Sequence, residues 1–243
     1  MGARTADGVI GADLGVFGDA LRFVADERAL ILEKTWEHLQ LSGAAMAVAL
    51  VLALPLGAWL GHLHRGSFLA INVANVGRAL PSLAVIAIGI AFLGIGFANV
   101  ALALVVLAVP PILTNAYVAV DGVEPDAVDA ARGMGMTRRQ ILLRVELPMA
   151  LPLIFAGIRT AVVFVVATAT IAAVAGGGGL GDIIVNRAAY GLEGVVGAAI
   201  CVSVLALAAD FVLGLVQRLL TPPGLRTGAQ ALEPDVMTGV TRR

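Results

Sequence analysis

Charge is scarce in this chain: 14% of its 243 residues are Asp, Glu, Lys or Arg, against 59% hydrophobic. So little polar surface cannot cover a water-soluble domain, and the lipid bilayer is the solvent this composition fits. Lysine is scarcer still. Arginine supplies fifteen of the sixteen basic residues, and Lys34 follows Glu33. A phosphate-binding Walker loop needs lysine after glycine, so this chain cannot hold ATP in that way. The single cysteine, Cys201, excludes an intrachain disulfide and sits in an apolar run, where a thiol acts as a small core side chain. The apolar runs contain no cluster of His, Cys or carboxylate groups, which counts against a membrane enzyme; we assign no catalytic and no metal residue. A net charge of −1 gives no footprint for nucleic acid. In the first forty residues Asp7, Asp13, Asp19, Asp26 and Glu27 interrupt every apolar core, so we expect no cleaved signal peptide.

What the chain has in abundance is long apolar sequence. Five stretches, 41–61, 68–93, 97–120, 151–175 and 195–220, each supply the roughly 20 residues a helix needs to cross the hydrocarbon. We therefore expect an all-α integral membrane protein with five transmembrane helices: an extracytoplasmic segment over 1–40, a membrane domain over 41–220 and a disordered cytoplasmic tail over 221–243. Arginine sets the orientation. Arg65, then Arg132, Arg138, Arg139 and Arg144, then Arg218, Arg226, Arg242 and Arg243 fall on one side, whereas the second and fourth loops offer Arg187. The N-terminus is then outside and the C-terminus cytoplasmic. Over 21–41, Leu21, Val24, Leu30, Ile31 and Trp36 alternate with charges, as in an amphipathic helix lying in the outer interface. Gly77, Arg78 and Pro81 predict a kink or break in the second stretch.

The polar loop 121–148 reads as two short helices. Pro125 suits a first helical position, and Asp126 and Asp129 favour the positive end of the dipole. Ala127, Ala130, Ala131 and Met134 make a small apolar face, Gly135 ends the helix, and Thr137 with Gln140 has capping-box spacing for a second helix toward Leu147. Pro148 and Pro152 mark entry into the fourth stretch. A small-residue helix held out between two spans invites a protein partner.

The same residues resemble a known family. Asp129-Ala130-Ala131, three residues, Gly135, nine residues and Val145-Glu146-Leu147-Pro148 look like the EAA loop of ABC importer permeases, with Asp129 for glutamate and Val145 for isoleucine. Segments 35–42 (TWEHLQLS), 74–84 (ANVGRALPSLA), 110–117 (PPILTNAY), 130–137 (AARGMGMT), Gly94-Ile95-Gly96 and Leu180-Gly181-Asp182 resemble the osmoprotectant branch, the permeases for glycine betaine, carnitine, choline or proline betaine. Many of those have glutamine where Arg78 stands. The resemblance implies a type I importer fold and an ATPase-coupling helix carrying Asp126, Asp129, Ala130, Ala131, Met134, Gly135 and Met136. It further implies two ATPase subunits that bind ATP and Mg, a second permease copy or paralogue, and an extracytoplasmic solute-binding protein. This chain would supply half a pore, bind no cofactor and perform no covalent chemistry. A permease for methionine, other amino acids or sulfonates shares the docking loop and is the alternative; a secondary transporter or channel is the alternative of another class, disfavoured by five spans without an internal repeat.

Further features are weighed on chemistry. Gly176, Gly178 and Gly181 satisfy G-x-G-x-x-G but follow a membrane span rather than a strand, so they read as an outer turn re-entering toward a gate, or as a linker. His62, His64 and Trp59 read as contacts to lipid headgroups at the interface. Quaternary ammonium solutes are recognised by aromatic cages, and 5% aromatic residues show no such box, which assigns selection to the binding protein. Arg78, Arg159 and Asp210 all lie about 15 Å from the cytoplasmic boundary at 1.5 Å per residue. Arg159 is expected to pair with Asp210 and brace two spans; Arg78, with Pro81 and Ser82, is the candidate for the translocation pathway.

Overall fold

The structure, a computed structural model, describes residues 6–221, and of residues 6–14, Leu69, Ile71 and Arg78 it describes the backbone alone. The tail expected to be disordered lies outside the described residues, as do Arg226, Arg242 and Arg243. Every regular element among the described residues is helical: α1 Ala6–Asp26, α2 Arg28–His62, α3 Ser67–Ala79, α4 Ser82–Leu93, α5 Phe97–Asp121, α6 Pro125–Gly133, α7 Arg138–Ile141, a π-turn Leu142–Glu146, α8 Leu147–Thr168, a 3₁₀ segment Ala169–Ala175, α9 Gly181–Val185 and α10 Arg187–Leu220. Among the described residues, four helical stretches are long and apolar enough to cross a membrane: Arg28–His62, Phe97–Asp121, Arg138–Ala175 and Arg187–Leu220.

The second apolar stretch is not one helix. It ends at Ala79 and restarts at Ser82, and Leu80 and Pro81 are extended at ψ 115° and 121°. Proline removes the backbone donor and disfavours the α conformation of the residue before it, so the break falls where the sequence placed it. At 13 and 12 residues, each half is too short to span alone.

α5 is the axis of the bundle. Its Val100, Leu104, Ala108, Ile112, Ala116 and Val120 are 0–1% exposed, with α2, α3, α4 and α8 packed around it. α2 approaches closely because Gly57 and Gly61 leave no Cβ: one built there would lie 2.5 Å from the Leu113 carbonyl oxygen and 2.7 Å from that of Tyr117. In lipid, where the hydrophobic effect does not hold helices together, such close contact supplies the cohesion.

Two boundaries differ from expectation. The amphipathic helix over 21–41 is divided at Glu27 (φ −98°, ψ 32°), and its second half is continuous with the first long helix. The reason is tertiary. Lys34 and Glu37 find partners in the glycine turn described below, so this half need not lie flat to hydrate its charges. α1 instead lays Ala20, Phe23 and Val24 on Gly194 and Gly197 of α10. Likewise, the second helix of the polar loop does not stop before Pro148 but runs on into α8. The Leu147 N–H donates to the Leu142 carbonyl, five residues back, and this π-turn places Pro148 in the first turn of α8, where its missing donor is tolerated.

Candidate functional site

Two regions carry the groups that matter: the polar loop between α5 and α8, and a cavity at the break between α3 and α4.

In the loop, α6 starts at Pro125 with Asp126 in its first turn and Arg132 in its last, matching the macrodipole. Gly135 takes φ +78°, and the Met136 N–H donates back to the Ala131 carbonyl at 3.2 Å, the return bond of a Schellman-type ending. Thr137 and Gln140 form the reciprocal capping box, Thr137 N–H to Gln140 Oε1 at 2.7 Å and Gln140 N–H to Thr137 Oγ1 at 3.4 Å. The faces of α6 differ from the expected single apolar knob. Val128 and Ala131 are 6% and 1% exposed and join the core with Val123 and Ile141. Ala130, Met134, Gly135, Asp126 and Asp129 are exposed and Met136 is half-buried, with Asp129 paired to Arg132 at 2.9 Å. Ala131 therefore holds the helix onto its own chain, because a nine-residue helix needs an inward anchor; the outward face is carried by Ala130 and Met134.

The loop is also fastened from below. His62 Nδ1 lies 2.6 Å from Glu146 Oε2, and His64 Nδ1 lies 2.9 Å from Asp121 Oδ1. These histidines are thus partners of carboxylates. The fold brings Glu146 and Asp121 to them from 84 and 57 residues away, a separation that no local pattern reveals. Among the described residues no group of three or more His, Cys, Asp or Glu could hold a metal ion.

The cavity has a volume of about 450 Å³. Gly77, Leu80 and Ser82 line it from the broken pair, Pro110, Pro111, Thr114 and Asn115 from α5, and Thr160, Phe164 and Thr168 from α8. Gly77 is required: a Cβ there would collide with the Pro110 ring. Of the pathway candidates, Ser82 lines the cavity and Pro81 makes the break beside it, while the side chain of Arg78 lies outside the described atoms. Thr114, Asn115, Thr160, Phe164 and Thr168 were missed by the sequence reading; on α8 the signal was the spacing of 160, 164 and 168, one face of a helix.

Arg159 and Asp210 form a two-bond pair, Nε to Oδ1 at 2.8 Å and Nη2 to Oδ2 at 2.7 Å, with side chains 36% and 32% exposed. It joins α8 to α10, and Gly214, one turn beyond Asp210, leaves room for the guanidinium.

Sequence comparison decides the family. Residues 53–222 match the family described as "Binding-protein-dependent transport system inner membrane component". The chain belongs to this family. Among its relatives, the choline transport system permease protein OpuBB of Bacillus subtilis is 38% identical over 207 residues, covering 85% of this chain and 95% of the relative. The carnitine transport permease protein OpuCB of Listeria monocytogenes is 39% identical over 204 residues, covering 84% and 94%. These relatives are permease subunits, so the chain is a multi-pass membrane permease. A solved structure of the MetNI methionine ABC transporter, in inward-facing form, superposes with a TM-score of 0.69 at 23% identity, covering 80% of this chain and 98% of that one. That likeness is one of fold.

Proposed function

We propose that this permease forms half of the translocation pore of an ATP-driven importer that takes up an osmoprotectant such as glycine betaine, choline, carnitine or proline betaine. The observation that carries the substrate class is the 38–39% identity over most of the chain to permeases named for choline and carnitine. Local geometry supports the coupling role. The exposed face of α6, with Asp126, Asp129, Ala130 and Met134, would enter a groove on a separate ATPase subunit that binds ATP and Mg. Closure of two such ATPases would then drive two permeases, identical or paralogous, between inward-open and outward-open. Solute would come from an extracytoplasmic binding protein. The broken pair α3 and α4 would act together as one crossing, which makes five, with the N-terminus outside and the C-terminus cytoplasmic. α1 would lie at the outer boundary. Arg78, beside the Pro81 break, would face the pathway, repelling inorganic cations and admitting a zwitterion through its carboxylate. The Arg159–Asp210 pair would brace α8 against α10, since ionised groups near mid-membrane are costly unless paired.

Co-purification with a candidate ATPase and a candidate binding protein, followed by reconstitution in vesicles, tests this reading. ATP-dependent uptake of labelled choline, glycine betaine or carnitine is expected. Uptake of methionine or a sulfonate instead would replace the substrate class, and uptake by this chain alone without ATP would make it a secondary transporter.

A further inference from the structure

None of the described side chains lining the α3–α4 cavity is ionised, yet the cavity is far from inert. The Thr114 hydroxyl donates to the Ala70 carbonyl at 3.3 Å, the Thr160 hydroxyl to the Ala156 carbonyl at 2.9 Å, and Asn115 Nδ2 to the Pro111 carbonyl at 2.8 Å. The two threonine hydroxyls thus turn their donors into the backbone and keep oxygen lone pairs for an occupant, while Asn115 keeps its amide oxygen and one N–H. Proline adds to the same bias. Pro110 and Pro111 have no N–H, so the carbonyls of Val106 and Leu107 lose their helical donors beside the cavity. Phe164, 61% exposed, presents an aromatic ring at the same wall.

The described part of this wall offers lone pairs and an aromatic face without a formal charge. A carboxylate finds no cationic partner among the described lining groups; the role proposed above for Arg78 supplies it one beside the Pro81 break. A quaternary ammonium fits better: it has no N–H to satisfy, its charge is spread over methyl groups, and those methyls are attracted to lone pairs and to the face of an aromatic ring. That no described lining side chain is ionised matters too, because a site on a transport path must bind weakly enough to release.

We propose that this cavity is a transit site for the trimethylammonium end of the solute and that Phe164 is its specificity-determining contact. Selection then does not reside wholly in the binding protein. The proposal rests on the osmoprotectant reading above and adds a residue and an orientation to it, with the ammonium in the α3–α4 cavity and the carboxylate or hydroxyl directed away.

The test uses the purified permease–ATPase complex in nanodiscs without binding protein, with choline as probe and saturation-transfer NMR of its methyl protons as readout. Its uncharged carbon isostere, 3,3-dimethylbutan-1-ol, is the comparison. The native complex should bind choline saturably and about tenfold more tightly than the isostere, the size expected of a partly desolvated cation–π contact. Phe164→Leu should weaken choline about tenfold and abolish the discrimination, and Phe164→Tyr should restore it. Equal binding of choline and isostere by the native complex, absence of a saturable methyl signal, or a Phe164→Leu complex that binds choline as the native one does would each overturn the proposal. Failure of the underlying reading is distinguishable: the native transporter with its binding protein would then import none of the osmoprotectants.

Discussion

The α6 loop and the glycine turn after α8 are both short, irregular connections, and they are held in opposite ways. α6 is closed by neighbours in sequence: Pro125 at its start, the Gly135 return bond at its end, the Asp129–Arg132 pair, and the Thr137–Gln140 box beyond. The turn is held by residues more than a hundred positions away. The Gly179 N–H donates to Glu37 Oε2 at 2.9 Å and Lys34 Nζ reaches Asp182 at 2.8 Å; beside them Lys34 also bonds its neighbour Glu37 at 2.9 Å, and His38 Nε2 donates to the Val166 carbonyl of α8 at 2.9 Å. Lys34 is 17% exposed, so its charge depends on those two carboxylates. A self-contained motif leaves its outer face free for another protein, whereas the turn is tied to α2 across the bundle. Segments 35–42 and 180–182, noticed separately in the sequence, thus each give one carboxylate to the clamp, Glu37 to the Gly179 N–H and Asp182 to Lys34.

The contrast can be broken at four points. Gly179→Val should be the most damaging, because φ there is +84° and a Cβ would lie 3.2 Å from His38. Left-handed strain and overpacking together predict a loss of about 3 kcal/mol, read as collapse of folded yield in detergent. Glu37→Ala should show a smaller loss, since the backbone donor it satisfies can find water. Equal yields of Gly179→Val and native protein would mean that the turn is not clamped.

Next, Ala131→Asp and Ala130→Asp should separate folding from docking. The first places a carboxylate in the core and should cost about 2–3 kcal/mol. The second should leave the fold within about 0.5 kcal/mol of native and abolish co-purification with the ATPase and coupled transport. If both variants lose only transport, Ala131 belongs to the docking face after all.

A third, smaller effect concerns the brace. Asp210→Asn should destabilise by about 1–2 kcal/mol, discounted because each partner is about one-third exposed, and Arg159→Gln in the same chain should recover part of it. Additive losses in thermal unfolding would show that the pair does not act as a unit.

The smallest effect is one of labelling. With Cys201→Ser as background, Ala188→Cys near the turn should react with an impermeant thiol reagent in intact cells and Gly133→Cys at the end of α6 should not, both with native-like folding. The reverse pattern would invert the orientation.

The sequence by itself determined the apolar stretches that the four long helices and the broken pair occupy, because each needs only its own apolar length, and it determined α6 and the capping box, whose bonds close within a few residues. It also determined the break at Pro81, a local loss of donor, and the Arg159–Asp210 pairing, since equal depth in a low-dielectric layer leaves opposite charges few other partners. Tertiary structure alone decided which face of α6 turns inward, because Val128 and Ala131 are chosen by the core they meet. It alone brought His62 to Glu146 and Lys34 to Asp182, pairs separated by 84 and 148 residues. It alone gathered Thr114, Asn115, Thr160 and Phe164 around one cavity. Each of these depends on how helices cross in space, and a bond between distant residues leaves no periodicity along the chain.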